Sequence, residues 1–310
     1  MRYFKNTAWL FAEKTLRIVS SLFVGTWVAR YLGPEQYGAF NYVVSFVALF
    51  AAFSTLGLDV VLVREIVKNE DKADVLMGTA FMMKVVGALV TMILIIVASY
   101  FTLNDVSTNL LIIIVSAGML FNSFNVIDLY FQSKVLSRYV VYSKVIILLF
   151  SSAIKIVLIL NEADLSAFVW VVLLDSVALA GGYIIFYYYN SLTLRSWKFE
   201  KRIVIDLLLD SWPLVFSGVA IAIYMRVDQV MIKEMMGLNA LGQYAAAVKL
   251  SEAWYFIPMM IGASLTPAII NAKKVDEKLY YDRLQYLYTF MVWVAIVVAV
   301  LMTILSDDIV

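Results

Sequence analysis

A chain of 310 residues that is 63% hydrophobic and 15% charged, with a mean hydropathy of +0.88, is too apolar for an ordinary water-soluble domain. A net charge of +1 with no basic run offers nothing to nucleic acid. Having neither cysteine nor histidine, it can build no disulfide, cysteine zinc site, Ser-His or Cys-His catalytic pair, or imidazole proton switch.

Several apolar runs reach the ~20 residues that carry a helix across ~30 Å of hydrocarbon. They lack the ten-residue alternation of a membrane barrel, so the chain reads as an all-α polytopic membrane protein. Nine spans are expected, at roughly 8–30, 37–60, 76–101, 110–131, 141–160, 166–189, 211–232, 241–265 and 285–305. No cleaved signal peptide is read, because Glu13, Lys14 and Arg17 interrupt the first apolar stretch.

After the first span comes Gly33-Pro34-Glu35-Gln36-Tyr37-Gly38, and far downstream Gly237-Leu238-Asn239-Ala240-Leu241-Gly242-Gln243-Tyr244. Both read G-x-x-x-x-G, lie between two apolar segments, and are 204 residues apart (237 − 33). Gly33, Gly38, Gly237 and Gly242 are therefore expected to form one hinge in each of two repeats, the first glycine ending a helix at positive φ.

Basic residues alternate between loops: Arg2 and Lys5, then Arg64, Lys68 and Lys72, then Lys134, Arg138 and Lys144. The same side continues with Arg195, Lys198, Lys201 and Arg202, then Lys273, Lys274, Lys278 and Arg283. The opposite loops hold Glu35, Asp105, Glu162, Asp164, Asp307 and Asp308, with Lys233 the only basic residue near them. The positive-inside rule puts the N-terminus in the cytoplasm. The polar stretch around 196–210 is expected to link an N-terminal lobe, 1–195, to a partial C-terminal lobe, 211–310, with a new span opening at Trp212-Pro213. Six spans in the first lobe and three in the second lead to the expectation of an incomplete chain, about three helices short of twelve.

Charges inside spans normally face the bundle interior or a water-filled cavity. Candidates for an anion-holding cavity are Arg17, Arg226, Lys155, Lys249, Lys84 and Lys14, because guanidinium and ammonium groups bind phosphate oxygens. The bland readings are a snorkelling Lys14 and structural pairs Glu13 with Arg17 and Lys249 with Glu252. Asp59 and Asp128 read as interfacial, and Trp9, Tyr100, Tyr187, Tyr188 and Tyr189 as interface belts. Asp228, Glu13 and Glu252 are the candidate carboxylates for H⁺ or Na⁺ coupling; no other cofactor and no metal is expected.

The runs Arg226-Val227-Asp228-Gln229, Gly237 through Ala247, Ile257-Pro258 and Leu265-Thr266-Pro267 resemble the polysaccharide-exporter family. So do Ala29 through Gly38, Leu56-Gly57-Leu58 and Arg64-Glu65. That family includes Wzx-type O-antigen flippases and shares a superfamily with MATE multidrug exporters and the peptidoglycan-precursor flippase MurJ. The resemblance implies a MATE-like bundle of two six-helix lobes in a bacterial or archaeal inner membrane. Its implied activity is alternating access that moves undecaprenyl-diphosphate-linked oligosaccharide to the periplasmic leaflet. Its implied partners are that substrate, membrane lipid, and the polymerase and export machinery. A drug or cation antiporter of the same fold would instead want an acidic cavity. A membrane polymerase or glycosyltransferase is disfavoured by short loops and the lack of an Asp-x-Asp motif.

Overall fold

In the computed structural model, described over residues 2–102, 104–255, 261 and 276–304, the chain folds into two compact units, Met1–Ala246 and Ala247–Val310. Each stretch that must cross lipid satisfies its backbone polar groups within its own helix. The first unit contains α1 (Arg2–Leu49), α2 (Ala51–Thr55), α3 (Leu58–Lys68), α4 (Ala73–Ser99) and α5 (Val106–Asn122). It continues with α6 (Val126–Ser133), α7 (Arg138–Leu160), α8 (Leu165–Tyr189) and α9 (Lys201–Met236), then most of α10 (Leu238–Glu252). The second unit holds the end of α10 and α11 (Glu277–Ile304). Among the described residues six helices are long and apolar enough to cross a membrane. Phe11–Leu49 and Ala51–Lys68 pass the same length and composition limits together, as a pair bent by 44°. The expected span 241–265 is described through Tyr255 and at Ile261; its remaining residues, with Ile257-Pro258 and Leu265-Thr266-Pro267, lie outside the described residues. So do Lys273, Lys274, Asp307 and Asp308.

Two expectations need correction. The seventh span does not open at Trp212-Pro213: α9 starts at Lys201, and Pro213 sits inside it. Residues 201–211 place Leu207 and Ser211 on a buried face, and that packing outweighs the hydrogen bond lost at the proline. Tyr187 is not an interface-belt residue; it is buried, and its hydroxyl accepts a 3.0 Å hydrogen bond from Trp197 Nε1. Asp128 is buried on α6.

Inside the first unit, Leu58, Leu62 and Ile66 of α3 pack with Met77 of α4, Ile127 and Phe131 of α6, Tyr187 of α8 and Leu207 of α9. A second cluster joins Tyr42 and Val43 of α1 to Ile95 of α4, Ile112 of α5, Val169 of α8 and Leu241 of α10. Ile93, Ile146, Phe150 and Ile185 stay exposed, as suits side chains that meet lipid tails.

Candidate functional site

The two glycine motifs have the same backbone. Gly33 has φ 69° and ψ 172°, and Gly237 has φ 87° and ψ 177°, a region open essentially to glycine alone. Each ends a helix, and the next begins at Pro34 or at Leu238, its equivalent in the other copy. The second glycines bring the copies together. A methyl group on Gly38 would lie 2.0 Å from the Leu238 carbonyl oxygen; one on Gly242 would lie 1.8 Å from the Pro34 carbonyl oxygen. The contact is reciprocal: each copy presents its second glycine to the first helical residue of the other.

Further polar links join α9 to its neighbours. Buried Ser45 donates its hydroxyl to Gln229 Oε1 at 2.8 Å. Lys233 Nζ lies 4.7 Å from the centre of the Tyr42 ring and donates to Asn104 Oδ1 at 2.8 Å. Asp228 accepts from the Tyr244 hydroxyl and, at 2.8 Å, from its neighbour's backbone N–H at Gln229. The carboxylate is therefore held in part by α10, and Arg226, two residues away, is partly buried.

The intramembrane charges of the first unit come in pairs. Arg17 meets Glu13 one turn earlier on α1, with Glu13 only 5% exposed and the guanidinium side chain 55% exposed. Lys84 of α4, 3% exposed, donates to Asp59 of α3 at 2.5 Å. Lys144 of α7 meets Asp128 of α6 at 2.7 Å, and Gln132 donates to the other carboxylate oxygen at 2.8 Å. Lys155 of α7 stands 3.6 Å from Asp175 of α8, which also accepts from Ser151 at 2.8 Å. Four cations thus face four carboxylates, and the unit interior is charge-compensated rather than strongly cationic. Arg17 differs in exposure: its planar fork carries five N–H donors, and Glu13 occupies only part of them.

The remaining sequence candidates are dispersed. Lys14 is exposed on α1, whereas Lys249 and Glu252 are partly buried at the end of α10, in the second unit. Among the described residues no cluster of three Asp or Glu side chains is arranged to hold a metal ion. The sequence reading did not single out Tyr244 as the partner of Asp228, or Ser45 and Gln229 as a link between repeats. Tyr244 lay inside the second glycine motif, which was the available signal.

The family model for "Polysaccharide biosynthesis protein" matches residues 3–273. The fold is similar to an inward-facing multidrug resistance MATE family transporter of the MOP superfamily, with TM-score 0.73 and 16% identity over 94% of this chain and 71% of that one. It is also similar to a MATE protein in complex with MaD3S, with TM-score 0.67 and 14% identity over 99% of this chain and 74% of that one. A search of curated proteins finds no match.

Proposed function

We propose, from the premise that this multi-pass membrane protein belongs to the polysaccharide biosynthesis protein family, that it works as a flippase for lipid-linked oligosaccharide. The observation that carries the reading is the family match across 3–273, on a chain whose helices are arranged as in MATE proteins. The cargo is undecaprenyl-diphosphate-linked glycan, moved from the cytoplasmic to the periplasmic leaflet of an inner membrane, with the N-terminus cytoplasmic. The alternation of Lys and Arg between loops supports that orientation.

Moving a diphosphate and a polyhydroxylated glycan through hydrocarbon costs far too much without a polar, hydrated path. The half-exposed guanidinium of Arg17 has donors left over from Glu13 to grip diphosphate oxygens in parallel, and Lys155 and Arg226 are the next candidates. Lys249 and Lys14 take supporting roles, and Lys84, held by Asp59, is not assigned to the anion. The matched glycine hinges let the two repeats rock, as repeat-built transporters commonly do. Asp228, Glu13 and Glu252 are the carboxylates through which H⁺ or Na⁺ would couple.

The test is to follow prenyl-linked glycan by leaflet in cells carrying Arg17→Ala or Arg17→Lys at equal expression. Cytoplasmic accumulation with Arg17→Ala, only partly relieved by Arg17→Lys, is expected, because an ammonium cannot make the bidentate contact. Normal leaflet distribution in the alanine variant removes Arg17 from the anion site. Depletion of the protein with normal leaflet distribution and lost dye resistance would transfer the assignment to drug export.

A further inference from the structure

Two helical stretches of the first unit carry irregular backbone. Between α2 and α3 the chain passes through Leu56 (φ 53°) and Gly57 (φ 63°), and between α5 and α6 it tightens into a 3₁₀ turn, Ser123–Asn125. Irregular backbone in a membrane is tolerated where it is buried in protein or lines a cavity. Here both breaks open on one cavity of about 190 Å³, walled by Ser54, Thr55, Lys84, Asn122, Ser123 and Asn125 with α8 residues Ser176, Ala180 and Tyr183. Per water of ~30 Å³ that is room for about six molecules, or for one sugar ring.

The wall chemistry narrows the occupant. Ser123 is 2% exposed and its hydroxyl has no hydrogen-bond partner. The hydroxyl of Ser54 and the amides of Asn122 and Asn125 make no side-chain hydrogen bond among the described residues either. Buried hydroxyls such as those of Ser54 and Ser123 are not left idle without a ligand or water, and exposed Asn122 and half-buried Asn125 line the same cavity. The one charged group in the wall, Lys84, is already engaged by Asp59, so the cavity has no spare cation for a phosphate and no carboxylate for a metal. What remains is neutral: two amides able to donate and accept, the hydroxyls of Ser54, Thr55, Ser123, Ser176 and Tyr183, and the rings of Phe121 and Tyr183 as flat apolar faces.

We propose that this cavity is a sugar subsite, holding one uncharged, hydroxyl-rich ring of a glycan. The proposal rests on the flippase reading for the origin of the ligand, but the binding site itself can be tested apart from it. The full-length protein in lipid nanodiscs is mixed with methyl glycosides of a hexose and of an N-acetylhexosamine, and with inorganic diphosphate as comparator, and saturation-transfer NMR is recorded. Binding of a glycoside by the wild type, weakened at least tenfold both in Asn122→Ala/Asn125→Ala and in Ala180→Leu, is expected. The first variant removes the amides without adding bulk, the second fills the space, and a melting curve shows that each is folded. Absence of glycoside binding, or equal binding by both folded variants, overturns the proposal, as does loss of diphosphate binding in their place. A protein that binds glycosides through these residues yet leaves prenyl-linked glycan in its leaflet sustains the subsite and removes the flippase reading. One that translocates normally with both variants and binds no glycoside does the reverse.

Discussion

The reciprocal glycine contact makes a sharp energetic prediction. A methyl on Gly242 would sit 1.8 Å from the Pro34 carbonyl oxygen, and one on Gly38 2.0 Å from that of Leu238. A carbon–oxygen contact needs about 3.3 Å, so the helices must part locally by roughly 1.5 Å for Gly242→Ala and slightly less for Gly38→Ala. The obstacle is backbone in both cases, with no rotamer to swing away, so each substitution should cost about 2–3 kcal/mol, the upper part of the range for overpacking. Both methyls wedge the same interface. Once the first has opened it, the second meets little resistance, and the double variant should fall short of additivity by about 1–2 kcal/mol. Gly33→Ala and Gly237→Ala differ in kind: no atom lies within 4 Å of either added methyl, so their cost is local strain of about 1–3 kcal/mol each, and the pair should add. Gly181→Ala, in helical α8 with open space around it, is the control and should gain about 0.5–1 kcal/mol. Unfolding of the purified protein in mixed micelles with rising SDS, followed by tryptophan fluorescence, measures all of these. If Gly38→Ala and Gly242→Ala match the control, or if their double variant costs the full sum, the reciprocal contact is wrong.

Further outcomes follow from individual residues. Lys84 is buried whereas Asp59 is 44% exposed, so Asp59→Asn, which strands a buried ammonium, should cost about 3 kcal/mol. Lys84→Met, which frees a carboxylate to be hydrated, should cost less than about 1 kcal/mol; SDS unfolding of the two variants tests the asymmetry. Ser45→Ala leaves the Gln229 amide without its buried partner and should cost about 1–3 kcal/mol, whereas Ser45→Ala with Gln229→Leu should recover part of that loss. Asp105 caps α5, and hydrogen bonds first from the Ser107 hydroxyl and then from Thr108 hold its carboxyl below the usual range. A depressed value means that its stabilisation is complete above the unfolded value of about 4 and disappears as pH falls through the lower folded value. The stability gap between wild type and Asp105→Ala, about 1 kcal/mol, should therefore be flat from neutral pH down to about 5 and close in stronger acid.

How much of this was legible in the sequence depended on how local each signal was. The conformations of Gly33 and Gly237 could be read because a repeated pair of glycines between apolar runs has a simple backbone meaning. The meeting of Gly38 with Leu238 could not, since it is a contact across the whole repeat distance. Glu13 and Arg17 were legible as a pair because they share one helix face. Lys84 with Asp59, and Lys155 with Asp175, join different helices, and their meeting depends on how far each helix is rotated about its axis. That is also why Lys84 and Lys155 read as candidate anion-holding groups where the fold supplies matching carboxylates. The break at Ser123 left a trace, Asn122, Ser123 and Asn125 close together inside an apolar run, which the span count passed over. Pro213 misled in the other direction, because buried contacts carry α9 through a residue that usually marks a helix start.

The ion pairs also bear on how the chain enters a membrane. Asp59 and Lys84 lie on α3 and α4, Asp128 and Lys144 on α6 and α7, and Lys155 and Asp175 on α7 and α8. Every one of these charges finds its counterpart on a helix next to it in the chain. A lone charge at the centre of an inserting helix costs about 3 kcal/mol on translocon scales, and here the neutralising group arrives with the next helix to be synthesised. Insertion of these helices as consecutive hairpins would keep any one charge from waiting in lipid for a partner made much later.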